Sequence, residues 1–231
     1  MTPRRVVCVI QARLGSTRFP RKVLADLCGK PVLQHVMERA AAIRGMDRLV
    51  LAVPVSELHE WSRLGVEVTG RFVFSYVGSA ENVLARFAHA AEANDSAVVL
   101  RLTGDCPLIA PDVCERVLGY IETGAMIYAT NDTRISGYPD GLDAEAFTAS
   151  LLYSADRQAT SAHDREHVTP WMQRHVDWSP IFAPIGERGP WPKLSVDTPE
   201  DLDHVRRIMA RIPPGEYSWK ATQEAIREEG L

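Results

Sequence analysis

The stretch that decides the fold is Val6–Lys22, VVCVIQARLGSTRFPRK. Its first six residues, Val6–Gln11, are an apolar, β-branched run that reads as a buried strand. The chain then enters the loop Gln11–Lys22, which carries Arg13, Arg18, Arg21 and Lys22 around Gly15, Ser16 and Thr17. Arginine forks, a lysine point charge and amides freed by a glycine are the groups that hold a triphosphate. A solvated basic connection would show the same pattern. The loop is neither GxxxxGK[ST] nor GxGxxG, so it is no standard phosphate or dinucleotide loop.

Outward from this stretch, short β-branched runs alternate with helical patterns. Pro31–Ile43 carries an apolar stripe through Val32, Leu33, Val36, Met37 and Ala40. Arg48–Val53 reads as a strand, a segment near Ser56–Arg63 as a helix, and Val66–Thr69 as a short strand. Ala80–Ala93 is a helix, Ala97–Leu102 a strand, Pro111–Glu122 a helix with proline in its first turn, and Met126–Thr130 a strand. Such alternation predicts an α/β domain, with helices on both faces of a mostly parallel sheet. The pattern falters after Asn131. A loop over Arg134–Asp143 leads to a strand at Ala144–Thr148 and helices at Ala149–Thr160 and Asp164–Arg174, and Ser179–Lys193 is rich in proline and glycine. Leu194–Val196 then precedes DTPEDLDHVRRIM, where Thr198 caps a helix and Pro199 opens it. A last helix lies near Ser218–Glu229. One domain over 1–231, with an inserted subregion at about 131–193, accounts for this order.

The composition is 45% hydrophobic and 24% charged, with a formal net charge of −4. That balance excludes a broad basic field, and with it a non-specific nucleic-acid or membrane-surface binder. No apolar run approaches the ~20 residues of a membrane span, and MTPRR lacks a signal-peptide pattern. Cys8, Cys28, Cys106 and Cys114 show no metal spacing and read as reduced thiols of a cytoplasmic protein.

In open α/β sheets, ligands bind beyond the carboxyl ends of the strands. Three polar clusters are expected there: Ala12–Lys22, Thr103-Gly104-Asp105 after Ala97–Leu102, and Asp197-Thr198 after Leu194–Val196. Asp105 and Asp197 facing a cationic loop would hold Mg²⁺ between protein and phosphate, although each aspartate also suits a turn or a helix start.

The segments VIQARLGSTRFPRKVL, GSAENVLARF, RLTGDCPLI, YPDGLDAEAF, DREHVTPWM and LSVDTPEDL resemble the SpsF-like cytidylyltransferases, relatives of the CMP-sialate and CMP-Kdo synthetases. The resemblance spans about Val6 to Met209. It implies a Rossmann-like, three-layer nucleotidyltransferase fold, and transfer of CMP from CTP to an acidic or nonulosonic-type sugar of surface polysaccharide synthesis. Arg13, Ser16, Arg18 and Lys22 fall on its triphosphate signature, with Ala12 and Gly15 in the same loop. Asp105 and Asp197 fall on its magnesium positions. Gly78, Ser79 and Arg86 fall in the segment lining the nucleotide pocket, and Arg101 is a further candidate there. Arg13, Lys22 and Asp105 are the expected catalytic groups. Similar enzymes carry PGK where this chain has PRK, so Arg21 stands at a glycine position.

The acceptor is expected against the inserted region. Asp143 and Glu145 alternate along a strand, Arg165 could pair with a sugar carboxylate, and Glu166 or His167 could bind hydroxyls. Similar enzymes are often homodimers whose partner closes this site. Two other readings fit parts of the pattern. A nucleotide-sugar glycosyltransferase would want a DxD motif where Gly104-Asp105-Cys106-Pro107 stands, and an idle nucleotide-binding relative would not need both aspartates.

Overall fold

The computed structural model describes residues 5–63, 72–76 and 78–230. The strand expected at Val66–Thr69 lies outside the described residues. The chain runs β1 (Val6–Gln11), a hairpin of β2 (Asp26–Leu27) and β3 (Lys30–Pro31), α1 (Val32–Ala41), and β4 (Arg48–Val53). A 3₁₀ turn at Val55–Glu57, α2 (Leu58–Arg63), β5 (Phe72–Tyr76), α3 (Val83–Ala93), β6 (Val98–Thr103), α4 (Pro111–Glu122) and β7 (Tyr128–Thr130) follow. β8 (Glu145–Thr148), α5 (Ala149–Gln158), α6 (Ala162–His167), α7 (Pro170–His175), α8 (Pro199–Met209) and α9 (Trp219–Glu229) complete it.

The strand order is β5-β4-β1-β6-β8-β7. β1 pairs in parallel with β4 and β6, and β4 with β5, while β8 runs antiparallel between β6 and β7. The sheet is therefore mostly parallel. β8 breaks the simple alternation because it arrives through the 131–144 loop, not through a crossover helix.

Side-chain alternation sorts the sheet into two layers. Val6, Cys8 and Ile10 of β1 pack with Leu33, Val36 and Met37 of α1 and with Cys114, Val117 and Leu118 of α4. Val7 and Val9 face the other way, onto Leu84 and Phe87 of α3 and Leu152 of α5. A third cluster joins Leu27, Leu194 and Val196 to α8 and α9 through Leu202, Val205, Trp219 and Ile226. α8 starts where the sequence places it, with a full capping box between Thr198 and Asp201.

Two expected elements differ. The helix expected over Asp164–Arg174 is two helices, since Pro170 lacks an N–H and Val168 turns the chain at φ 72°, ψ −57°. Leu194–Val196 is not a strand. It is an extended segment tied to loops, with Leu194 N–H donating to Asp140 O at 2.7 Å and Val196 N–H to Asp105 O at 2.8 Å.

This segment lies so close to the 137–143 loop that only glycine fits at Gly141. Its φ is 104°, and an added Cβ would sit 2.5 Å from Ser195 N and 2.6 Å from the Leu194 carbonyl carbon. Gly141→Ala should destabilise the fold by about 1–3 kcal/mol, as over-packing does, read by urea unfolding. A neutral result would show that the segment yields freely.

Candidate functional site

The loop after β1 is pinned at both ends by burial of Leu14 and Val23. Arg21 N–H donates to Leu14 O at 3.0 Å, which folds the loop back on itself. Glu57, on the 3₁₀ turn after β4, accepts from Leu14 N–H at 2.8 Å and Gly15 N–H at 3.2 Å, and from the Trp61 indole at 3.0 Å. Two loop amides are thus held by the protein itself and are not offered to an external anion. Sequence reasoning missed Glu57, because nothing local marks a carboxylate 42 residues from Gly15.

Lys22 is the meeting point of the site. Its Nζ donates to Asp105 Oδ2 at 2.6 Å and to Asp197 Oδ1 at 2.8 Å. Asp197 also pairs with Arg18 at 2.9 Å and with Lys193 at 2.9 Å, and Lys193 reaches Asp201 at 2.8 Å. Burial would lower the Lys22 pKa, but the charges and hydrogen bonds of Asp105 and Asp197 outweigh it and hold the ammonium above its ordinary range. Burial would raise Asp197, but hydrogen bonds from Lys22 and Lys193 hold its carboxyl well below the usual carboxylate range.

Two cavities adjoin here. The first, of about 410 Å³, is lined by Gln11, Ala12, Arg13, Gly15, Ser16, Thr17, Arg18 and Lys22 from the loop side. Val83, Arg86, Arg101, Asp105, Glu166 and Asp197 lie among its other walls. The second, of about 580 Å³, is lined by Asp132, Arg134, Asp140, Asp143, Glu145, His163, Thr169 and Gln173. Arg101, Thr103, Asp105, His167 and Asp197 belong to both.

Between the cavities lies a buried polar network. Glu145 accepts from Arg101, from Tyr128 Oη at 2.6 Å and from Thr169 Oγ1 at 2.7 Å, and Gln173 donates to Tyr128 Oη at 2.8 Å. Burial first, and then the Glu145 carboxylate, push the Tyr128 hydroxyl well above its ordinary pKa. Burial also raises Asp143, against hydrogen bonds from Thr133 and Gly141. The turn at Val168, a buried β-branched residue at positive φ, sets His167 and Thr169 on cavity walls.

Most of the expected residues converge. Ala12, Arg13, Gly15, Ser16, Arg18, Lys22, Arg86, Arg101, Asp105, Glu166, His167 and Asp197 line the first cavity, and Asp143 and Glu145 the second. Arg13 also comes within 3.7 Å of Glu166. Three do not line either cavity. Gly78 and Ser79 stand behind Arg86, whose Nη1 donates to Ser79 O at 3.1 Å. Arg165 is spent on Asp156, at 2.5 Å to its carboxylate and 2.6 Å to its carbonyl, and on Ala159 O at 2.9 Å. It is not positioned to meet a sugar carboxylate.

Among the described residues, six buried side-chain nitrogen or oxygen atoms lack a hydrogen-bond partner. Three of them, Gln11 Oε1, Arg86 Nε and Arg101 Nε, belong to residues lining the first cavity. Buried polar groups are nearly always paired; these three atoms lie under the cavity wall and not on its surface.

Arg21 resolves its own anomaly. It sits at φ 58°, ψ 26°, the left-handed region that glycine enters without cost, and its guanidinium comes within 3.9 Å of exposed Glu60, away from the lysine–aspartate cluster.

Residues 7–211 match the family described as Cytidylyltransferase. The chain is 32% identical over 212 residues to the spore coat polysaccharide biosynthesis protein SpsF of Bacillus subtilis, covering 88% of this chain and 85% of that protein. It is 39% identical over 249 residues to a 3-deoxy-manno-octulosonate cytidylyltransferase of Anaeromyxobacter dehalogenans, covering 90% and 98%. In fold it is similar to a cytidylyltransferase structure from Leptospira borgpetersenii, at 24% identity and a TM-score of 0.84, covering 98% and 95%.

A left-handed arginine costs about 1–2 kcal/mol. Arg21→Gly should hold stability level or raise it by up to about 1 kcal/mol, after the greater freedom of glycine in the unfolded chain. Arg21→Val should lower it by at least about 1 kcal/mol, because β-branched side chains fit this region worst. Urea unfolding reads both, and equal effects would remove backbone strain as the reason.

Proposed function

The chain belongs to the cytidylyltransferase family, and from that premise we propose that it transfers CMP from CTP to a sugar hydroxyl with release of pyrophosphate. The observation that carries this reading is the pair of adjoining cavities, one walled by Arg13, Arg18 and Lys22, that meet at Asp105 and Asp197. A triphosphate in the first cavity would meet cations along its length. An acceptor hydroxyl from the second would approach at the shared wall. The hydroxyl oxygen bonds to the α-phosphorus as the bond to the bridging oxygen breaks, so alignment and charge neutralisation are the protein's task. Arg13, Arg18 and Lys22 hold the charge that grows on departing pyrophosphate.

Asp105 and Asp197 fit a divalent ion of the Mg²⁺ type. Their carboxylate oxygens converge on Lys22 Nζ, so an ion would replace the lysine at that point as the cation between them. One or two carboxylates completed by substrate phosphates is the coordination Mg²⁺ takes. When bound, the ion neutralises charge on the phosphate and supplies positive charge at the wall shared with the acceptor.

The acceptor we propose is an acidic sugar, of the kind that the name of the 39%-identical relative specifies. With Arg165 held by Asp156, and Arg134 by both carboxylate oxygens of Asp132 at 2.8 Å, the groups able to meet its carboxylate in the second cavity are His163 and His167. Asp143 would accept from its hydroxyls there, and Glu166 from the wall of the first cavity. Exposed Ile135, Phe182 and Ile185, all within 131–193, support a homodimer formed through that region.

Pyrophosphate release measured with CTP, Mg²⁺ and a panel of 3-deoxy and nonulosonic acids tests the proposal. Turnover with CTP is expected to vanish with excess EDTA and return with Mg²⁺. Lys22→Met should lower kcat by about 10²-fold or more, the usual loss for one stabilising donor. Transfer from a preformed nucleotide sugar, with no pyrophosphate from CTP and any acceptor, would overturn the reading.

A further inference from the structure

The loop after β1 makes few hydrogen bonds with its own backbone. Over residues 13–18, the amides that find an acceptor among the described residues are those of Leu14 and Gly15, and both go to Glu57. The amides of Arg13, Ser16, Thr17 and Arg18 donate to no described residue, and all four residues line the first cavity. Leu14 stands among them as a fixed point. Its side chain is 6% exposed, its carbonyl accepts from Arg21 N–H at 3.0 Å, and its own N–H donates to Glu57 Oε2 at 2.8 Å.

Glu57 is itself held from behind. Its Oε2 also accepts from Trp61 Nε1 at 3.0 Å, and Trp61, 1% exposed, belongs to the same apolar layer as Leu14. The Glu57 N–H donates to Pro54 O at 3.0 Å, in the turn that leaves β4. Because β4 pairs in parallel with β1, this carboxylate extends the order of the sheet to a loop that has no strand ladder of its own. Glu57 lines neither cavity.

A carboxylate beside a cationic loop can act in two ways. As a charge alone, Glu57 repels a triphosphate and offsets part of the loop's positive field. As an acceptor, it fixes the bend at Leu14 and Gly15, which sets Arg13 before the bend and Ser16, Thr17 and Arg18 after it on one cavity. A loop ordered before its ligand arrives has less freedom to lose on binding. The two roles move CTP affinity in opposite directions, so experiment can separate them.

We propose that Glu57 is a positioning residue for the triphosphate. Through Leu14 and Gly15 it holds the loop in the one form that presents Arg13, Ser16, Thr17 and Arg18 to the β- and γ-phosphates. Without it, the loop takes that form only part of the time, and affinity for those phosphates falls by the same fraction. The proposal rests on the cytidylyl-transfer reading above, which places the triphosphate in the first cavity.

Dissociation constants of CTP, pyrophosphate and CMP, measured by calorimetry with Mg²⁺ on the native chain, Glu57→Ala and Glu57→Asp, test it. Glu57→Asp keeps the charge but shortens the side chain by a methylene, drawing the carboxylate back from both amides. Both variants should weaken CTP and pyrophosphate about 10-fold, as for a loop competent about one tenth of the time. CMP should weaken far less, since it lacks the phosphates that the loop serves. Hydrogen exchange over residues 12–22 of the ligand-free chain should quicken in both variants, with β1, β4 and β6 unchanged. Tighter CTP binding in Glu57→Ala, with native affinity in Glu57→Asp, overturns the proposal and leaves Glu57 a charge only. Equal losses for CMP and CTP, or unchanged exchange in the loop, also overturn it. Should Glu57→Ala fail to fold, Glu57→Asp carries the test alone. A native chain that binds neither CTP nor pyrophosphate refutes the cytidylyl-transfer reading, while hydrogen exchange still judges the clamp on the loop.

Discussion

Everything around the site depends on one ammonium group held between two carboxylates. Lys22, Asp105 and Asp197 come from the loop after β1, the end of β6 and the approach to α8; the lysine lies 83 residues from one aspartate and 175 from the other. Part-buried charges are costly unless paired, and removing one member leaves its partners uncompensated. Arg18 and Lys193 extend the pairing, so Asp105, Asp197 and Asp201 are matched by Lys22, Arg18 and Lys193. The cluster is close to charge-neutral on its own. A polyanion entering the first cavity therefore needs Arg13 and a cation brought with it, which is the physical case for a divalent ion in the proposed reaction.

The sheet provides the rigid frame on which that cluster is set. The inner rows of β1 and β4 are apolar on both faces, and in β1 and β6 polar groups gather toward the carboxyl ends. Arg101 illustrates the economy of the arrangement. One register step past Val99, it faces both cavities, pairs with Glu145 on the neighbouring strand, and lies 5.9 Å over the Phe87 ring of α3. Glu145 in turn collects Tyr128 and Thr169, so the wall between the cavities is hydrogen-bonded from several elements at once. Such a wall resists movement, and proximity is useful in catalysis only when it is held.

The readable parts of the sequence were those governed by local rules. The apolar runs of β1, β4 and β6, the proline that opens α4, and the Thr198 capping box need only near neighbours to be recognised, and the cationic loop announced its residue types. What was hidden depended on long-range pairing. Leu194–Val196 has strand-like composition, yet its amides go to Asp140 and Asp105 instead of a strand ladder. Arg165 has the right chemistry for a sugar carboxylate, but Asp156 lies closer to it on the neighbouring helix. Glu57 carries no local signature at all. Asp143 and Glu145 were paired by strand alternation; Asp143 in fact precedes the strand, and the two still line one cavity.

Some of the places where local rules are broken adjoin the site. Arg21 accepts a left-handed backbone where glycine would sit without strain, and Val168 accepts positive φ despite its branched side chain. Gln11, Arg86 and Arg101 each bury an atom with no partner. Each departure costs stability, and packing elsewhere must offset it. Strain and unmet hydrogen bonds differ in what they imply. A strained turn only fixes geometry, as the Arg21 turn does in bringing Lys22 to its carboxylates. An unmet buried donor or acceptor is a different cost, one of lost hydrogen bonding and not of backbone geometry, and packing of the surrounding layers has to carry it.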